Sequence, residues 1–194
     1  GNNGGDGFVA ARFLSVMNCN VTVILADGEP KTSDAKLNFN LIPSKVKKLS
    51  YIFEKEDCIE SINNAEILID AIYGIGFKGA LNIEMYELAE YYNSNEKAVK
   101  IAVDLPSGIM CDTGEIINGC FNTDYTITFT SLKPLHILYP SLDFCGEISV
   151  EDVGVPKKIL DECSYIMKTT DEYISENPFT TRKKSAHKGT NGTL

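Results

Sequence analysis

Apolar and polar positions along the chain follow two alternating rhythms. Near the start, Val9, Phe13, Val16 and Met17 recur at helical spacing and predict a helix with those four on its buried face. Asn18 and Asn20 end it, and Val21-Thr22-Val23-Ile24-Leu25 reads as a strand. After a turn at Asp27-Gly28-Glu29-Pro30, residues 32–48 predict a helix interrupted near Pro43. The alternation continues with a strand at 49–53, a short helix at 58–63, a strand at 65–73, a helix at 83–92 and a strand at 99–104. From residue 123 the period changes. Tyr125, Ile127 and Phe129 alternate with threonines, and Glu147-Ile148-Ser149-Val150 follows, which predicts two strands with no helix between them. Strand and helix in turn imply an α/β fold, with a parallel sheet covered by helices on both faces and right-handed crossovers. In such sheets ligands gather at the carboxyl ends of the strands.

Composition narrows this further. At 194 residues and 43% hydrophobic, the chain is long enough to bury a full core. With 27 acidic against 18 basic residues, a net charge of -9 opposes long-range attraction to nucleic acid or an anionic membrane. No run reaches the length of a membrane span and no export signal is recognisable, so the cytoplasm is the expected location. Cys19, Cys58, Cys111, Cys120, Cys145 and Cys163 lack the CxxC spacing of a zinc site and read as reduced thiols.

The two ends differ from the body. Gly1-Asn2-Asn3-Gly4-Gly5-Asp6-Gly7 has the composition of an anion-binding turn ahead of a helix: glycines permit close backbone approach, and a helix start offers free N–H groups. Such a turn is expected to follow a buried strand, which the sequence does not contain. Residues 180–192 are basic, polar and glycine-rich, so the chain reads as part of a longer polypeptide at both ends.

Three predicted strand ends carry polar groups followed by glycine. They are Asn2-Asn3-Gly4-Gly5-Asp6, then Asp70 with Gly74-Ile75-Gly76-Phe77-Lys78-Gly79, then Asp104-Leu105-Pro106-Ser107-Gly108. Parallel strands would bring all three to one crevice. Asp70 lies inside an apolar run, and a carboxylate there needs a partner or a cation. Amide oxygen, carboxylate and hydroxyl without histidine or thiolate favour a hard alkali or alkaline-earth cation. Of the two histidines, His136 reads as a strand-end residue and His187 lies in the basic tail, which argues against a Ser-His-Asp hydrolase.

These segments, with Asp112-Thr113-Gly114, Thr126-Ile127-Thr128-Phe129 and Lys133, and Asp152-Val153-Gly154-Val155-Pro156, stand in an order that resembles the YjeF N-terminal family, the NAD(P)HX epimerases. The resemblance covers residues 1–156. It implies a Rossmann-like three-layer sandwich with a mainly parallel central sheet, and interconversion of the R and S forms of hydrated NADH or NADPH. By position, Asn2, Asn3, Gly4, Gly5 and Asp6 would contact the substrate. Gly74, Ile75, Gly76, Phe77, Lys78, Gly79 and Ala80 would wrap its phosphates. Asp104 would lie against the hydrated nicotinamide as the acid/base, and Asn3, Asp70 and Ser107 would hold a potassium ion. The resemblance further implies a homo-oligomer, a linker over 157–181 and, from Arg182 through His187 to residue 194, the start of a fused ADP- or ATP-dependent dehydratase domain.

Two other classes remain open on sequence. Asp27 stands roughly where a dinucleotide oxidoreductase places its ribose-binding acid, although the opening glycines miss the G-x-G-x-x-G register. A non-catalytic binding scaffold of the same fold is the second. Hydride transfer from NADH would reveal the first, and an epimerase assay with and without potassium the second.

Overall fold

The computed structural model describes residues 2–162, so the expected linker from residue 163 onward and the expected dehydratase start at 182–194 lie outside the described residues. In chain order the elements are α1 (Asn2–Val16), β1 (Thr22–Leu25), α2 (Ser33–Asn40), β2 (Lys47–Ser50), α3 (Lys55–Asn63), β3 (Ile67–Asp70), α4 (Ile83–Ser94), β4 (Val99–Val103), β5 (Tyr125–Phe129), β6 (Glu147–Glu151) and α5 (Lys157–Glu162). Two short 3-10 turns, Pro134–His136 and Ser141–Phe144, lie between β5 and β6. The chain divides into Gly1–Val155 and a unit beginning at Pro156, whose first residues carry α5.

Among the described residues all strand pairs are parallel, but they form two pieces. β1 pairs with β2, and β3, β4, β5 and β6 pair in sequence order. No hydrogen bonding joins β1 to β3, and a cleft of about 1730 Å³ is lined by both.

Helices do sit on both sides of the β1–β2 piece, because alternate strand residues point to opposite faces. Val23 and Leu25 pack with Phe8, Ala11, Ala35, Ile42 and Val46 from the α1–α2 side. Ile24 and Ala26 pack with Cys58, Ile62, Met85, Leu88 and Ala89 from α3 and α4. Thr32 and Asn82 cap α2 and α4 by accepting the amides of Ala35 and Met85, each contact being worth about 1 kcal/mol. Among the described residues the four-stranded piece is covered on the α3–α4 side only. Ile67, Ile69, Val99, Tyr125 and Ile127 on its other face are exposed.

Several sequence expectations are corrected here. The glycine-rich opening is not a turn ahead of a helix; it is the first two turns of α1 itself. Phe13, Val16 and Met17 are exposed, and the buried face of α1 is Asn3, Gly5, Phe8, Ala11 and Ser15. The reason is close packing. A Cβ on Gly5 would stand 3.5 Å from the α-carbon of Ala35, so the seam with α2 takes small residues, and the bulky ones turn outward. The helix expected over 32–48 ends at Asn40, and Lys47 and Lys48 begin β2, which displaces the strand expected at 49–53. In β5 the polarity is inverted: Thr126 and Thr128 are fully buried while Tyr125 and Ile127 face out. The buried Thr126 hydroxyl donates to the Cys145 carbonyl at 2.7 Å, which removes the cost of burying it.

Candidate functional site

The carboxyl ends of β3 and β4 meet the start of α1. Asp70, the last residue of β3, is 1% exposed, and both of its carboxylate oxygens are filled by the turn after β4. The Ser107 amide donates to Oδ2 at 2.7 Å, and the Ser107 hydroxyl to Oδ1 at 2.6 Å. The Ile72 amide adds a third donor at 3.2 Å. The same hydroxyl accepts the Tyr73 amide at 2.9 Å, and the Asn3 side-chain amide donates to the Tyr73 carbonyl at 2.8 Å. The backbone of one residue, Tyr73, therefore links Asn3 to Ser107 and through it to Asp70. The three expected cation ligands are brought together.

Burial pushes the Asp70 carboxyl up to about 6, against the lowering effect of its three donors. A buried carboxylate with that balance calls for positive charge. Its hydrogen-bond partners are neutral donors, and the described residues contain no cluster of three His, Cys, Asp or Glu side chains able to hold a metal. One carboxylate with amide and hydroxyl oxygens suits a weakly charged hard cation.

Asp104 follows β4 directly and takes φ 70°, the left-handed region that few residues other than glycine, asparagine and aspartate accept. Its Oδ1 receives the Thr128 hydroxyl at 2.9 Å, the Phe129 amide at 3.4 Å and the Lys133 ammonium at 2.5 Å. The Asp6 carboxyl is raised above its ordinary value, first by desolvation and then by the charge of Asp104, so the two carboxylates are near enough to repel.

The expected substrate residues divide by position. Asn2, Asn3, Gly4, Gly74, Ile75, Gly76, Phe77 and Lys78 line the large cleft together with Asp70 and Asp27. Gly5, Asp6, Gly79, Ala80, Asp104 and Ser107 do not line it. Gly5 is buried toward Ala35, and Asp6, Lys78 and Ala80 are exposed. Gly79 takes φ 89° with open space around it, which lets the 74–80 loop turn. Within that loop the rings of Tyr73 and Phe77 stack at 4.9 Å, and burial with the nearby Asp27 carboxylate pushes the Tyr73 phenol up to about 12.

Residue types alone assign no role to Lys133, Thr128 or His136. His136 is not a strand end; it closes the 3-10 turn after β5, is buried, and accepts the Lys133 amide on Nδ1 at 3.1 Å. The available signal is a lysine four residues beyond a strand whose threonines alternate with apolar residues. Among the described residues no thiol hydrogen-bonds into this network: Cys19 is exposed, and Cys58, Cys111, Cys120 and Cys145 are free and buried.

Residues 1–135 match the family described as the YjeF-related protein N-terminus. A bifunctional NAD(P)H-hydrate repair enzyme of Thermofilum pendens is 31% identical over 195 residues, covering 99% of this chain and 36% of that protein. An NAD(P)H-hydrate epimerase of Pirellula staleyi is 36% identical over 166 residues, covering 84% of this chain and 73% of the relative. The chain thus spans about a third of the bifunctional relatives' length. A yeast protein solved by crystallography shares the fold, with a TM-score of 0.66 at 24% identity, over 86% of this chain and 71% of its own.

Proposed function

Since the chain belongs to the family of YjeF-related protein N-termini, we propose that its crevice epimerises hydrated NADH or NADPH at the carbon bearing the added hydroxyl. The observation that supports this most directly is Asp104, a carboxylate fixed through Oδ1 by three donors, with no hydrogen bond reaching Oδ2 among the described residues. Oδ2 is the general base. It takes the hydroxyl proton; the O–H electron pair becomes the carbonyl π bond as the carbon–nitrogen bond opens, and its electrons pass to the ring nitrogen. When the nitrogen adds back to the other face, the oxygen recovers the proton and the configuration is inverted. No electron leaves the substrate, so no redox partner is required.

In the same reading Asn3, Asp70 and Ser107 hold a potassium ion, whose charge would offset the buried carboxylate and tie α1 to the two strand-end turns. The donor set and the upward displacement of the Asp70 carboxyl support it. The start of α1 and the loop over 74–80 would receive the nucleotide and its phosphates. Self-association and a fused dehydratase partner belong to this reading and rest on the family resemblance. Among the described residues no helix is long and apolar enough to cross a membrane.

The test is the rate at which a sample enriched in one epimer of hydrated NADH relaxes to the mixture, measured against buffer alone. The chain should accelerate relaxation, and Asp104→Asn, which tolerates the left-handed backbone, should lose at least 100-fold of that rate. A wild-type chain no faster than buffer, or an Asp104→Asn variant at the wild-type rate, rules the proposal out.

A further inference from the structure

We infer that Lys133 is a positioning residue for this reaction, acting through Asp104: it ties up one carboxylate oxygen so that the other alone faces the substrate. The inference rests on the epimerase reading for its chemistry and on the hydrogen-bond geometry for the pairing.

The placement of Lys133 is built from the backbone upward. Pro134 opens the 3-10 turn at Pro134–His136, and the turn closes on Lys133 twice: the His136 amide donates to the Lys133 carbonyl at 2.9 Å, and the Lys133 amide donates to His136 Nδ1 at 3.1 Å. His136 is 2% exposed, and its ring also meets the Asp104 backbone. Burial first, and the Lys133 ammonium second, push that imidazole down to about 4, so it stays neutral and offers Nδ1 as the acceptor. The lysine backbone is therefore clamped, and its side chain runs back toward the end of β5.

There the ammonium has three protons and three acceptors: Asp104 Oδ1 at 2.5 Å, Thr128 Oγ1 at 2.6 Å and the Phe129 carbonyl at 2.9 Å. None is left over to grip a ligand. The Thr128 hydroxyl donates its own hydrogen bond to Asp104 Oδ1, which makes Oδ1 the common acceptor of lysine, threonine and the Phe129 amide. The pair is only 17% and 14% exposed, so water screens it little. The other ionisable groups facing Asp104 are Asp6 from α1, Cys111 from the segment after β4, whose thiol burial pushes up to about 11, and neutral His136. Lys133 is thus the one cation among these facing groups, and it opposes the repulsion from Asp6.

The experiment has a kinetic arm and a substrate-free arm, both on the full chain. Lys133→Met keeps the aliphatic stem and removes the charge; kcat for epimerisation should fall at least 100-fold with KM within twofold of wild type. Lys133→Ala should regain at least tenfold in rate with ethylammonium in the buffer, whereas Asp104→Asn should regain none. In the substrate-free arm, the Lys133 ammonium protons of the wild type should exchange slowly with water by nitrogen-15 NMR and lose that protection in Asp104→Asn. A Lys133→Met kcat within threefold of wild type, a rise in KM alone, or a wild-type ammonium that exchanges as fast as surface lysines would each overturn the inference. An inactive wild-type chain whose Lys133 ammonium is still protected by Asp104 would instead remove the epimerase reading and leave the pairing standing.

Discussion

Ser107 satisfies both oxygens of the Asp70 carboxylate, its amide on Oδ2 at 2.7 Å and its hydroxyl on Oδ1 at 2.6 Å, although 37 residues separate them. The hydroxyl also receives the Tyr73 amide, so one atom serves two strand-end turns. Ser107→Ala removes it, strands the part-buried Tyr73 amide and leaves Asp70 Oδ1 with only the longer contact from the Ile72 amide. Each unsatisfied group costs about 1–3 kcal/mol, and local relaxation recovers part of that. A loss of roughly 2 kcal/mol in urea unfolding at unchanged m-value is expected; a variant within 0.5 kcal/mol, a threshold well under that range, would show that the link is not structural.

Potassium should raise the unfolding midpoint if the site around Asp70 binds it. At a concentration ten times the dissociation constant, mass action contributes about 1.4 kcal/mol, or roughly 3–5 °C for a domain of this size. The comparison is potassium chloride against tetramethylammonium chloride at equal ionic strength, which holds screening constant. Asp70→Asn and Ser107→Ala should show no difference between the two salts. Equal midpoints for the wild type in both would remove the cation from the reading.

The strand ends were legible in the sequence because glycine and proline follow acids there, and such punctuation survives any tertiary context. Asp70, Asp104 and Ser107 were singled out this way, and Asn3, Asp70 and Ser107 do share one hydrogen-bonded network. The phase of α1 was not legible. Periodicity ranks Phe13, Val16 and Met17 as core, but a seam as close as Gly5 to Ala35 selects for small side chains, and a hydrophobicity pattern carries no information on interaxial distance. The inverted polarity of β5 escaped for a related reason. Thr126 and Thr128 are buried because the carbonyl of Cys145 and the Asp104–Lys133 pair supply partners, and those partners are distant in the chain.

His136 makes stability depend on acidity in a definite direction. Its folded-state value of about 4 lies below the ordinary 6.5, so the unfolded chain binds the proton more readily. Its contribution is complete above pH 6.5 and is lost as pH falls from 6.5 through 4, by about 3 kcal/mol in total. His136→Gln keeps an acceptor for the Lys133 amide without the titration. Over that window the stability of the variant should fall less steeply than that of the wild type in chemical denaturation at stepped pH. Parallel curves for the two proteins would mean that His136 protonates as easily folded as unfolded.

The glycines of α1 can be separated by what an added methyl group would meet. In a helix interior Gly→Ala is worth about 1 kcal/mol in favour of folding. At Gly5 the nearest atom lies 3.5 Å away, an ordinary contact, so Gly5→Ala should stabilise the chain by up to that amount. At Gly7 the methyl would stand 2.7 Å from the Cβ of Ala71, immediately after Asp70, and one of the two backbones must shift. Overpacking of that kind costs about 1–3 kcal/mol, which exceeds the propensity gain and leaves Gly7→Ala destabilised by about 1 kcal/mol. Because the displaced segment carries the carboxylate that meets Ser107, Gly7→Ala should also weaken the potassium-dependent rise in midpoint while Gly5→Ala retains it. Thermal scans of the two variants in both salts test the contrast, and stabilisation by Gly7→Ala would show that α1 does not approach β3 as closely as described.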